Sequence, residues 1–169
     1  MIRTARAHYR LTQFWRTLTA PFRPEDESYA DTRLAPRLLT LFRQLPRFER
    51  QHGIAVCQAL EKQGYTDPDL LVAALLHDVG KLTVPPKLWE RVLVVLGEHF
   101  LPALAERWGQ GEPRGLRRGF VIRRRHPEWG AKLAAQAGAA PRAVTLIRRH
   151  HSPPGEDAQL AALQAMDDA

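Results

Sequence analysis

A seven-residue apolar run, Leu70 to Leu76, ends abruptly in His77-Asp78-Val79-Gly80-Lys81. Asp67-Pro68 precedes it, an N-cap residue followed by proline at the first helical position, so the segment reads as a buried helix running to about Asp78. Gly80 then lets the chain leave the helix. An imidazole and a carboxylate are thereby set side by side where a core helix surfaces, at a C-terminal end whose dipole favours a cation. Neutral nitrogen and anionic oxygen donors suit one metal ion, and the second carboxylate oxygen can bridge to another.

Such a site needs partners from elsewhere in the chain. His52 precedes His77 by 25 residues; His126 follows in His126-Pro127-Glu128-Trp129-Gly130, then the pair His150-His151, then Asp167. In the helix expected after Pro46 and closed by Gly64, His52 shares a face with Ala55, Val56, Ala59 and Leu60, and so points inward. Pro127 is expected to start a helix over 128–137, ended by Gly138, which sets His126 at an N-cap-like position. Pro141 opens the next helix. Its successive positions diverge by about 100°, so His150 and His151 are not expected to serve one metal together. In the last helix Asp167 falls on the apolar stripe of Leu160 and Leu163, and Asp168 falls off it. An acid on an apolar face costs desolvation unless a charge compensates.

This order of residues resembles the HD superfamily of metal-dependent phosphohydrolases, over roughly residues 46 to 168. HDVGK is close to its HDIGK-type signature, and HPEWG resembles the HPxxG segment of the HD-GYP subgroup. The chain departs from that subgroup after the histidine pair, where Ser152-Pro153-Pro154-Gly155 replaces a Glu and a Gly-Tyr-Pro element. Phe48 stands where the subgroup can carry a further Glu, with Glu49 one position off. The resemblance therefore implies two metals and does not extend to cyclic-dinucleotide specificity.

What it implies is an all-α fold, a compact helical bundle of the HD-domain type. One metal would be held by His52, His77, Asp78 and Asp167; Asp78 would bridge; His126 and His150, with His151 as a second-site ligand or substrate contact, would hold the other. Imidazole and carboxylate without thiolate suit manganese, iron, cobalt or magnesium. The implied reaction is hydrolysis of a phosphoester or phosphoanhydride in a nucleotide-type substrate by a metal-activated water. Lys81 reaches toward the substrate phosphate, aided by Arg123, Arg124 and Arg149. A cyclic-nucleotide or dinucleotide phosphodiesterase and a non-catalytic sensor of nucleotide or RNA are the alternatives.

Composition agrees with one domain of soluble type: 169 residues, 44% hydrophobic and 25% charged, large enough for a core. Helix periodicity runs throughout without strand alternation, which independently favours an all-α bundle. Residues 1–45 are expected to form helices packing on a metal-binding domain at 46–169. The first is an amphipathic stretch over about 5–19 with Leu11, Phe14, Trp15 and Leu18 on one face, the second runs over about 32–45, and a dimer surface is a further use for them. Residues 88–108 read as one long helix or two, with Gly97 and Pro102 as break points. His99 and His8 have no place in the pattern.

The single Cys57 excludes an internal disulfide and fits a reducing cytoplasm. No run is long and apolar enough for a membrane span, and the N-terminus lacks a signal-peptide core. A net charge of +7 favours anionic partners. Its arginines concentrate at 114–125 and 148–149, where they suit phosphate oxygens of a nucleotide or nucleic acid, or serve as a solvated basic face.

Overall fold

The computed structural model describes residues 28–168, so the amphipathic stretch at 5–19 and His8 lie outside the described residues. Among these the chain forms helices α1 (Ser28–Asp31), α2 (Pro36–Arg43), α3 (Arg47–Lys62), α4 (Pro68–Leu76), α5 (Leu88–Phe100), α6 (Pro102–Gly109), α7 (Arg118–Gln136), α8 (Pro141–Arg149) and α9 (Ala158–Asp167). Short 3-10 turns at Val79–Leu82 and Gly115–Arg117 complete the order, and no strand occurs among the described residues. The fold is all-α. No helix of the described residues is long and apolar enough to cross a membrane.

Prolines start α2, α4, α6 and α8, where the missing N–H costs nothing. Gly64, at φ +88°, ends α3 in the left-handed conformation, and the Tyr65 amide returns to the Leu60 carbonyl at 3.1 Å. The Asp67 side chain accepts from the Leu70 amide at 3.0 Å, capping α4. Asp67→Ala should therefore lower unfolding stability by about 1 kcal/mol, read from the midpoint of a denaturant titration.

Helix α4 is apolar nearly all round and buried, with α3, α8 and α9 packed against it. Around it Leu60, Leu75, Leu146, Ile147, Leu160 and Leu163 build one core. Ala30, Leu34, Leu38, Phe42 and Leu45 belong to the same core, so α1 and α2 pack on the helices that follow. Tyr29 donates to Glu61 at 2.6 Å, and Arg33 binds the same carboxylate at 2.7 Å while covering the Tyr29 ring. A smaller cluster of Val94, Ala105 and Phe120 joins α5 and α6 to α7. Cys57 is fully buried, its thiol pushed up to about 11 chiefly by that burial, and serves packing.

Of the two break points expected in 88–108, Pro102 is the one used, and Gly97 lies inside α5; a Cβ at Gly97 would stand 2.5 Å from Phe120 Cζ, so this glycine makes room for the ring. One expectation is corrected. Pro127 does not start a helix but lies inside the 19-residue α7, and His126 is mid-helix rather than N-cap-like. An interior proline costs about 3 kcal/mol. Here the buried face of Val121, Ile122, His126, Gly130, Ala131 and Ala134 runs straight through it, and tertiary packing outweighs propensity.

Candidate metal centre

His77 and His150 occupy the same position on two different helices, the C-caps of α4 and α8. Each ring turns back on its own helix: Nδ1 of His77 meets the Ala74 carbonyl at 2.8 Å, and Nδ1 of His150 meets the Ile147 carbonyl at 2.7 Å. His126, on α7, does the same with the Ile122 carbonyl at 3.0 Å. A carbonyl only accepts, so each Nδ1 carries the proton and donates it. In the neutral ring Nε2 is then a lone pair, and all three Nε2 atoms face one buried centre.

Asp78 stands between two groups of imidazoles. Its Oδ1 lies 3.2 Å from Nε2 of His126, and its Oδ2 lies 3.5 Å from Nε2 of His77. On the His77 side, Asp167 places Oδ1 at 3.4 Å from His77 Nε2 and 2.8 Å from His52 Nε2. On the other side the Nε2 atoms of His126 and His150 approach to 3.2 Å. His151 completes this side, its ring centroid 4.1 Å from that of His150 and 4.8 Å from that of His126. Asp168, by contrast, is exposed.

The expected separation of His150 from His151 does not hold, because α8 stops at Arg149 and the 100° helical step no longer applies. Donor atoms of His126, His150 and His151 all lie within 4.8 Å of one another, as do those of His52, His77 and Asp78. His99 lies against Phe100, outside both groups.

The donor set fits cations. His77 Nε2 is buried without a hydrogen-bond partner while two carboxylates face it. Burial, and for His150 the neighbouring imidazoles, hold His126 and His150 below the usual histidine range. Both are therefore neutral, and their Nε2 lone pairs point at one another across a contact that only a proton or a cation makes favourable. Burial opposes a charged His77, but Asp78 and Asp167 outweigh it and bring its pKa up to about 9. Burial likewise opposes ionised Asp78 and Asp167, yet Lys81, His77 and His126 hold the first, and His77 and His52 the second, well below the usual carboxylate range.

A proton on His77 thus occupies a place that a metal would take. Below pH 9, binding of a divalent cation should release a proton, and affinity should rise with pH until about 9 and then level. Indicator-dye titration on manganese addition measures this. Without metal the sign is opposite on the two flanks. The His77 contribution to stability, whose folded pKa is raised, is present at neutral pH and lost as pH rises through about 9. The Asp78 and Asp167 contributions, whose folded pKa values are depressed, are lost as pH falls through them.

Lys81 and Glu49, the residue one position off the place of the subgroup's Glu, line the edge of the centre. Nζ of Lys81 lies 2.5 Å from Asp78 Oδ2 and 3.2 Å from Glu49. Glu49 is buried on α3 and also holds Arg91 of α5 at 2.7 Å. Its spacing of three residues before His52 was the available signal, since positions three apart share a helix face. Arg123 lies against the His151 ring and 3.4 Å from Glu98. Arg124 is exposed with its side chain over Gly109, and Arg149 is engaged with the Pro153 carbonyl and Asp157. Arg118 clasps the buried Glu90 and ties α5 to α7.

Comparison with known proteins agrees with this geometry. The family model described as HD domain matches residues 50–169, a span holding all seven histidine and aspartate residues of the centre. No curated protein matches the chain, and no solved structure does. With most of its length covered by that one match, the chain belongs to the HD-domain family.

Proposed function

We propose that this protein is a metal-dependent phosphohydrolase that cleaves a phosphoester or phosphoanhydride bond of a nucleotide-type substrate. The observation that carries the reading is the convergence of His77 and His126, each with its Nδ1 protonated and its Nε2 turned inward, on the two oxygens of the buried Asp78, with Nε2 of His150, held in the same tautomer, 3.2 Å from that of His126. His52, His77, Asp78 and Asp167 would hold one divalent cation, and Asp78, His126, His150 and His151 a second, with manganese, iron, cobalt or magnesium matching the nitrogen and oxygen donors. When bound, such cations supply water activation and charge neutralisation at a phosphoryl group.

The protein's own groups do the rest. Backbone carbonyls fix the tautomers and orientations of His77, His126 and His150. Lys81, braced between Asp78 and Glu49, and Arg123, beside His151, place positive charge at the rim, where it orients phosphate oxygens and stabilises charge that grows on them. The chain's net charge of +7 supports a substrate with several phosphates.

The test is product release from a panel of nucleoside mono-, di- and triphosphates and cyclic nucleotides, after metal stripping and readdition of manganese, iron, cobalt or magnesium. Turnover restored by metal is the expected result. Stoichiometric metal binding without turnover of any probe would overturn hydrolysis in favour of a nucleotide sensor.

A further inference from the structure

Helix α5 exposes an apolar stripe that the centre does not use. Leu88, Trp89, Val92, Leu96, Phe100 and the following Leu101 are each between 39% and 68% exposed. The helix has three charged residues, and all of them are engaged within the chain: Glu90 with Arg118, Arg91 with Glu49, and Glu98 with Arg123. Beside the stripe runs a groove of about 220 Å³ lined by Leu93, Ala105, Trp108 and Phe120, among others. Isolated exposed apolar residues are ordinary, but a contiguous stripe flanked by a groove marks an interaction surface.

We infer that this face is the interface of a homodimer, in which α5 packs antiparallel against α5 of a second copy. Leu88, Val92, Leu96 and Phe100 recur every four residues and are arranged symmetrically about Val94. An antiparallel copy therefore sets Leu88 against Phe100 and Val92 against Leu96, and then the same pairs again, as a two-fold interface requires. Antiparallel helices also set opposite dipole ends together. At about 150–250 Å² for a large side chain, the six exposures amount to roughly 600 Å² per copy, near the ~800 Å² per partner of a stable complex. A membrane surface is the poorer match, because an interfacial helix carries its basic residues on its solvent face and the lone arginine of α5 is turned in to Glu49. The interface would brace the helix whose Arg91 holds Glu49, and through it Lys81.

Sedimentation velocity of the full chain across the micromolar range tests this, with Leu96→Glu as the disrupting variant and Phe100→Lys as a second. Phe100, 68% exposed, contributes little to the core, so that variant keeps the test open should the first fail to fold. A wild-type dimer is expected, weakened at least about tenfold by either folded variant, with helicity and metal content unchanged. A monomer at every concentration would overturn the proposal, whether or not it binds vesicles of phosphatidylglycerol and phosphatidylcholine. So would a dimer that both variants leave intact.

Discussion

Asp78→Asn is expected to reduce turnover by on the order of 10³-fold, the largest catalytic effect of any single change in this protein. The side chain keeps its shape, so the result reads charge and not packing. Asp78 reaches both groups of imidazoles, through Oδ1 to His126 and Oδ2 to His77. An amide offers one oxygen and one N–H₂, and whichever side receives the nitrogen loses a ligand. The substitution also removes a principal upward pull on His77, so His77 should titrate at a lower pH in the metal-free variant. It frees Lys81 from its closest partner as well. Activity, metal content and the histidine titration followed by NMR should change together; near-wild-type activity with both metals retained would contradict the bridging role.

Gly80→Ala is expected to be the most destabilising single substitution near the centre, costing about 3 kcal/mol or more, at the upper end for overpacking. A Cβ at this position would overlap the His126 carbonyl oxygen and stand 2.5 Å from the Gly130 nitrogen. Both obstacles are backbone of α7, which cannot swing aside as a long side chain can. Relief would require α7 to separate from the 3-10 turn at Val79–Leu82, carrying His126 away from Asp78. Stability and metal retention should therefore fall together, measured by urea unfolding with and without metal. Gly64→Ala, where nothing lies within 4 Å, meets only backbone strain from its positive φ and should leave metal content intact.

Gly80 also shows how far the sequence could be read. That the HDVGK run needs a glycine was visible; that the reason is contact with α7, and not release from a helix, depends on where a segment nearly fifty residues later packs. The α4 cap was legible because Asp67-Pro68 acts locally through one side-chain bond. His52 and Asp167 could be assigned inward faces because helical period and apolar neighbours agreed. Pro127 misled, because the proline rule prices a local backbone defect and is silent about the buried face that carries α7 through it. The His150–His151 separation failed for a related reason: angular steps hold only within a helix, and α8 ends one residue earlier. Glu49 has no role in the sequence reading because it stands one position off the place of the subgroup's Glu; its spacing from His52 gives its helix face, but its partners Lys81 and Arg91 come from two later elements.

The central claim is a two-cation centre shared through one aspartate. Calorimetric titration of manganese into chelator-treated protein tests it most directly, on the wild type, His150→Ala and Asp78→Asn. Two equivalents bound per wild-type chain, about one in His150→Ala, and weakened binding at both sites in Asp78→Asn are the expected results. No saturable binding by the wild type, or a stoichiometry that Asp78→Asn leaves unchanged, would contradict it.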